Sequence, residues 1–138
     1  MNVFDFRERG NTRVDERTEK LAEVVIGAAI EVHRHLGPGL PEMSYRKALS
    51  HELDLRQVPH LCEVPFPIVY KGQPVGEGRM DMLVDGLLIV ELKAIESLSP
   101  VHRAQVITYL RVTKLKLALL INFNVLLLKD GVQRVINT

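Results

Sequence analysis

Asp81, Glu91 and Lys93 fall in one stretch, RMDMLVDGLLIVELK (79–93), that otherwise reads as two apolar strands meeting at Asp85-Gly86. An unpaired charge buried in a sheet costs several kcal/mol, so such groups are paired, exposed or bound to a metal. Glu91 and Lys93 are two residues apart on a strand and therefore point to the same face. If Asp81 joins them, two carboxylates share one ammonium and a negative charge remains. A divalent hard cation would complete that set. The plainer alternative is a solvated salt-bridge cluster, or Lys93 simply neutralising Glu91.

Whether Asp81 joins them depends on register. A two-residue turn at Asp85-Gly86 sets Asp81 opposite Val90 and turns its side chain to the wrong face. A three-residue loop centred on Gly86, or a single bulge, brings Asp81 opposite Glu91. Glycine suits the left-handed position such a loop requires, and this second register is the one expected.

Two helices carry further candidates. In GPGLPEMSY, Glu42 and Tyr45 share a helix face with Leu49 and Leu53, which turns a third carboxylate toward the core side. A first-turn glutamate favoured by the helix dipole is the structural alternative. In HRAQVITYL, His102, Gln105, Tyr109 and Val112 form one stripe on a helix that directly follows the Glu91/Lys93 strand.

The elements that position these residues follow from period and punctuation. Residues 1–14 read as a flexible N-terminal segment and 15–138 as a single domain. From Asp15 to Leu36, the apolar residues Leu21, Val25, Ala28, Val32 and Leu36 recur at helical spacing, and Gly37-Pro38-Gly39 ends the helix. A second helix starts near Pro41 and runs to about Leu53. Strands follow at 62–70, 74–84 and 87–94, with Pro65 and Pro67 marking the first as an edge strand. Ser99-Pro100 opens a helix to Thr113. LALLINF (117–123) reads as a central strand covered on both faces. A short segment at 126–129 and a strand at 132–136 end the chain. The order is ααβββαββ, with strands 87–94 and 117–123 parallel through a crossover helix. The fold class is α/β, a mixed central sheet flanked by helices.

A glutamate on an early helix, an aspartate late in one strand, Glu91-Leu92-Lys93 on the next, and Gln105 to Tyr109 on the following helix resemble the PD-(D/E)xK nuclease superfamily. Gly39-Leu40-Pro41-Glu42-Met43-Ser44-Tyr45 is similar to the motif of its GxxExxY branch. The resemblance covers residues 15 to 136, and Met80 replaces the proline usual before the aspartate. It implies a restriction-endonuclease-like core and a metal-dependent nuclease, acting on DNA in preference to RNA. It also implies Mg²⁺ or Mn²⁺ held by Asp81, Glu91 and the Leu92 main-chain carbonyl, with Glu42 as a direct or water-mediated ligand. Lys93 would orient or deprotonate the attacking water, and Gln105 and Tyr109 would position substrate. Tyr45, His102 and Arg103 are expected at the substrate. The chemistry agrees: phosphodiester cleavage needs a nucleophilic water, a cation on the phosphate and relief of developing negative charge.

Bulk properties allow this without demanding it. The 138 residues carry 18 Lys and Arg against 17 Asp and Glu, a net charge of +1, so a nucleic-acid surface would have to be a local patch. Lys71, Arg79, Arg103, Arg111, Lys114 and Lys116 lie near the site in sequence. One cysteine, Cys62, excludes an internal disulfide and a cysteine-rich zinc site. His33 and His35 point to different sides of their helix, and His51 and His60 read as surface residues. No apolar signal core or membrane span is visible, so the cytoplasm is the expected location. A homodimer or a partner chain is the expected route to duplex recognition. The rival function is a non-catalytic nucleic-acid-binding or interaction module that keeps the nuclease fold.

Overall fold

A computed structural model describes residues 14–137; the segment 1–14 expected to be flexible lies, but for Val14, outside the described residues. The order is helix α1 (Glu16–Leu36), helix α2 (Glu42–Leu55), strands β1 (His60–Tyr70), β2 (Gln73–Val84) and β3 (Leu88–Lys93), helix α3 (Pro100–Thr113), strand β4 (Leu117–Asn122), a 3-10 turn at Leu128–Gly131, and strand β5 (Val132–Ile136). The five strands lie in sequence order, β3 and β4 parallel and all other neighbours antiparallel. That is the mixed α/β sheet expected from the sequence. The short segment expected at 126–129 runs into the 3-10 turn at Leu128–Gly131.

Punctuation residues set the helix limits. Asp15 caps α1 by accepting a hydrogen bond from the Thr18 amide at 2.8 Å. Gly37, at φ 71°, ends it where a side chain would be strained. Ser99 and His102 form a reciprocal capping box at the start of α3, with Pro100 in its first turn. Leu36, expected on the buried stripe, is 40% exposed because the helix stops there, and Ala22 and Ala29 take the core contacts instead.

Two apolar layers sandwich the sheet. Val25, Ala28 and Val32 of α1 and Tyr45, Leu49 and Leu53 of α2 pack on Val90, Leu92, Leu119 and Ile121. Val106 and Leu110 of α3 pack on Ile89, Ala118 and Leu120 across the sheet. Alternation therefore sends successive β4 residues to opposite cores, and every residue of that strand is buried. Each such leucine contributes about 1.5–3 kcal/mol of burial.

The turn between β2 and β3 decides the register. Asp85 and Gly86 both have positive φ (51° and 69°), and the Leu87 amide bonds back to the Val84 carbonyl at 3.0 Å. Three residues therefore separate the paired Val84 and Leu88. The observed pairs Val84–Leu88, Leu83–Ile89 and Met82–Val90 set Asp81 opposite Glu91, as expected.

Candidate active site

At Asp81 two irregularities coincide. The backbone pairing of β2 with β3 ends at Met82–Val90. On the other side of β2, Glu63 of β1 sits at φ 54° and drops out of the β1–β2 ladder, leaving Asp81 without a cross-strand partner there. The kink also switches faces. Met82 belongs to the core under α1 and α2, whereas Met80 and Phe66 belong to the core under α3. Asp81 lies at the switch.

Side chains fill the gap left in the ladder. The Asp81 amide donates to Glu91 Oε2 at 2.6 Å, and the Leu92 amide donates to Asp81 Oδ2 at 2.9 Å. Each strand's carboxylate thus accepts from the other strand's backbone, which holds both acids at fixed positions. Ile89 lies in the α3 core, so Glu91 and Lys93, on the same strand face, turn to the α3 side.

The electrostatics are those of crowded acids. Glu91 is only 3% exposed. Burial, and then the charge of Asp81, push its carboxyl from the usual 4.5 to about 8, outweighing the Asp81 amide and the Lys93 ammonium. Glu42, the first residue of α2, is exposed at the rim. Its carboxyl is raised by partial burial and next by Asp81, while Lys93 and Arg46 oppose the shift. Glu42, Asp81, Glu91 and Lys93 therefore feel one another, although one helix and two strands supply them. Lys93 is half-buried and makes no ion pair within the described residues.

Tyr109 completes this neighbourhood from α3. Its phenol is raised by burial and then by the charges of Glu91 and Asp81. The ring meets Phe66 edge-on with centroids 4.9 Å apart. Phe66 in turn lies on Gly78, where a Cβ would come within 2.2 Å of the ring. Gln105, one turn before Tyr109, is exposed on the same stripe.

Other expected site residues have different places. Tyr45 is fully buried. Its hydroxyl donates to the Gly37 carbonyl at 2.6 Å and accepts from the Leu40 amide at 3.0 Å, and its ring stacks on Phe123. With both hydrogen bonds internal, it anchors the loop that delivers Glu42 and offers no face to a substrate. His102 uses Nδ1 to accept the Ser99 amide at 2.9 Å. Arg103 reaches Gln133 Oε1 and the Arg134 carbonyl on β5, two strands from β3.

Asn122 was not singled out in the sequence. It is 2% exposed, and Lys93 is its partner across the parallel pair. Its Oδ1 accepts from the Ile95 and Asn124 amides, and its Nδ2 donates to the Ile95 carbonyl. It therefore locks the chain leaving Lys93. The available signal was the one polar residue in LALLINF.

Among the described residues, no group of three or more His, Cys, Asp or Glu side chains is placed to hold a metal ion. Asp81 and Glu91 converge as two, with the Leu92 carbonyl as a third oxygen on the same segment and Glu42 farther out. An all-oxygen set of this kind fits Mg²⁺ or Mn²⁺, which keep several waters and bind through one or two carboxylates. Cavities of about 550 and 260 Å³ open elsewhere, at the α1 end beside Leu126–Leu128 and beside Ser50 and Cys62. The carboxylates lie in neither.

A family model described as the PD-(D/E)XK nuclease superfamily matches residues 19–135. No curated protein and no solved structure matches.

Proposed function

Because the chain belongs to the PD-(D/E)XK nuclease superfamily, we propose that it is a Mg²⁺- or Mn²⁺-dependent nuclease that hydrolyses phosphodiester bonds, in DNA rather than RNA. The observation that carries this reading is Asp81 facing Glu91 across the parted strands, with Lys93 on the same face.

Asp81, Glu91 and the Leu92 carbonyl would hold the cation, with Glu42 acting directly or through water. When bound, the cation would polarise the scissile phosphate and make the attacking water more acidic. Lys93 orients that water and faces the charge that develops on phosphorus in the transition state. Tyr109, steadied by Phe66, and Gln105, one turn earlier on α3, would position the strand to be cut. Burying Glu91 as an acid is unfavourable for an architectural residue and sensible for a ligand that ionises when a cation arrives. That supports catalysis over a non-catalytic binding module. No described helix is long and apolar enough to cross a membrane; the cytoplasm is the proposed site of action.

The test incubates purified protein with labelled single- and double-stranded DNA and RNA in Mn²⁺. Wild type should cut DNA, and Lys93→Ala should cut at least roughly 100-fold more slowly. Equal rates for the two proteins overturn the catalytic assignment.

A further inference from the structure

Beyond the site, β1 and β2 continue as a two-stranded ribbon with no third strand among the described residues. Pairing of β2 to β3 covers only Met82–Val84, whereas β1 and β2 stay paired out to Tyr70–Gln73. Residues 67–77 are all exposed. Apolar side chains crowd this arm, with Val69 at 58%, Tyr70 at 63% and Val75 at 57% exposure. A free two-stranded hairpin is marginally stable in water, so an arm this apolar calls for an occupant.

Three observations select the occupant. First, the arm is blunted against strand addition. Pro65 and Pro67, two residues apart, remove two donors from the same edge of β1, and Pro74 removes another from β2. A second copy pairing edge to edge is therefore disfavoured.

Second, the tip of the arm is positive, Lys71 being the one charged residue from 64 to 76. Arg79 is met by Glu63 and Glu77, and Glu63 also by Arg46. Lys71, at the turn, has no carboxylate partner among the described residues and lies 5.3 Å from the Tyr70 ring centroid.

Third, the arm is continuous with the carboxylate site, because β2 carries both Asp81 and the arm. From Asp81 to Gln73 the strand runs about 26 Å at the usual rise. That spans about eight base pairs of a duplex. A two-stranded ribbon also has the width to enter a major groove of about 12 Å.

We propose that the β1–β2 ribbon is a duplex-gripping arm that lies along a groove of double-stranded DNA, with Lys71 on the phosphates and Tyr70, Val69 and Val75 against the groove wall. This deepens the nuclease reading and rests on it for the choice of polymer. It assigns the duplex as the substrate form and places its grip to one side of the cut.

The test measures anisotropy of a fluorescein-labelled DNA duplex about three helical turns long, with Ca²⁺ present, at several salt concentrations. Lys71→Glu and Tyr70→Ala should each weaken binding about tenfold, and Lys71→Glu should lower the salt slope by about one. Mn²⁺ affinity by calorimetry should stay at the wild-type value. Both residues are exposed, so neither change puts the fold at stake. The proposal is overturned if both variants bind as wild type does, or if wild type does not bind the duplex. It is equally overturned if sedimentation shows that the variants act by dissociating a dimer. Any of these with Mn²⁺ binding and cleavage intact removes the arm alone, whereas absent Mn²⁺ binding in wild type removes the parent reading.

Discussion

Asn122 and Glu91 are the two buried polar side chains nearest the parting strands, one on β4 and the other on β3, at 2% and 3% exposure. Asn122 has three protein partners and carries no charge, so its burial costs little and fixes the chain beyond Lys93. Glu91 has one backbone donor and an acid for a neighbour, and it is held near pKa 8. Similar depth yields opposite economies: one group stabilises the scaffold, and the other is destabilised in its charged form by that scaffold. The contrast separates architecture from chemistry without reference to any relative.

It can be attacked from both sides. Removing a ligand should have the largest effect. Asp81→Ala should lower Mn²⁺ affinity by at least roughly 100-fold in calorimetry, since even outer-shell partners of a metal cost 10- to 100-fold. A stability loss as large as that of an Asn122 variant, with metal binding intact, would erase the distinction.

Asn122→Ala is next. It strands the Ile95 amide and carbonyl and the Asn124 amide, and should cost about 2–4 kcal/mol in urea unfolding. Near-neutrality would mean water satisfies those groups and the anchor is dispensable.

Glu91→Gln should do the reverse. Without divalent cations at pH 8 it should raise stability by about 1 kcal/mol, because no buried acid then needs to ionise. The sign follows from linkage. Folding raises this pKa from 4.5 to about 8, so the folded state binds the proton more tightly. Its contribution is fully present below pH 4.5 and is lost as pH rises through 8. Melting of the metal-free protein should thus decline across that window, and the decline should shrink in Glu91→Gln and on adding Mn²⁺. A flat profile for both proteins would show that Glu91 is not held as an acid.

Tyr109→Phe should have the smallest effect. The contact with Phe66 survives, so stability should stay within about 0.5 kcal/mol. Any change should appear in cleavage rate, which would mark the hydroxyl as a positioning group.

Much of this was legible in the chain, for identifiable reasons. Periodicity gave the elements, and Gly86 in a left-handed position gave the register that sets Asp81 against Glu91. What escaped were properties of partners rather than of patterns. Tyr45 and Tyr109 occupy similar stripe positions, yet one hydroxyl bonds the backbone and the other faces acids. Only the loop at Gly37–Leu40 decides which. His102 resembled a substrate contact because a capping box built on histidine lacks the usual glutamate signal. The face switch at Glu63 left no trace in alternation, since a left-handed glutamate inside a strand is not encoded by hydropathy.

The central claim is that Glu91 stays protonated beside Asp81 until a divalent cation arrives. Titrating Mn²⁺ into the protein at pH 7, in two buffers of different ionisation enthalpy, measures both the binding and the protons released. The account predicts binding with release of about one proton per ion, and loss of both in Asp81→Ala. No binding, or binding without proton release that survives in Asp81→Ala, would contradict it.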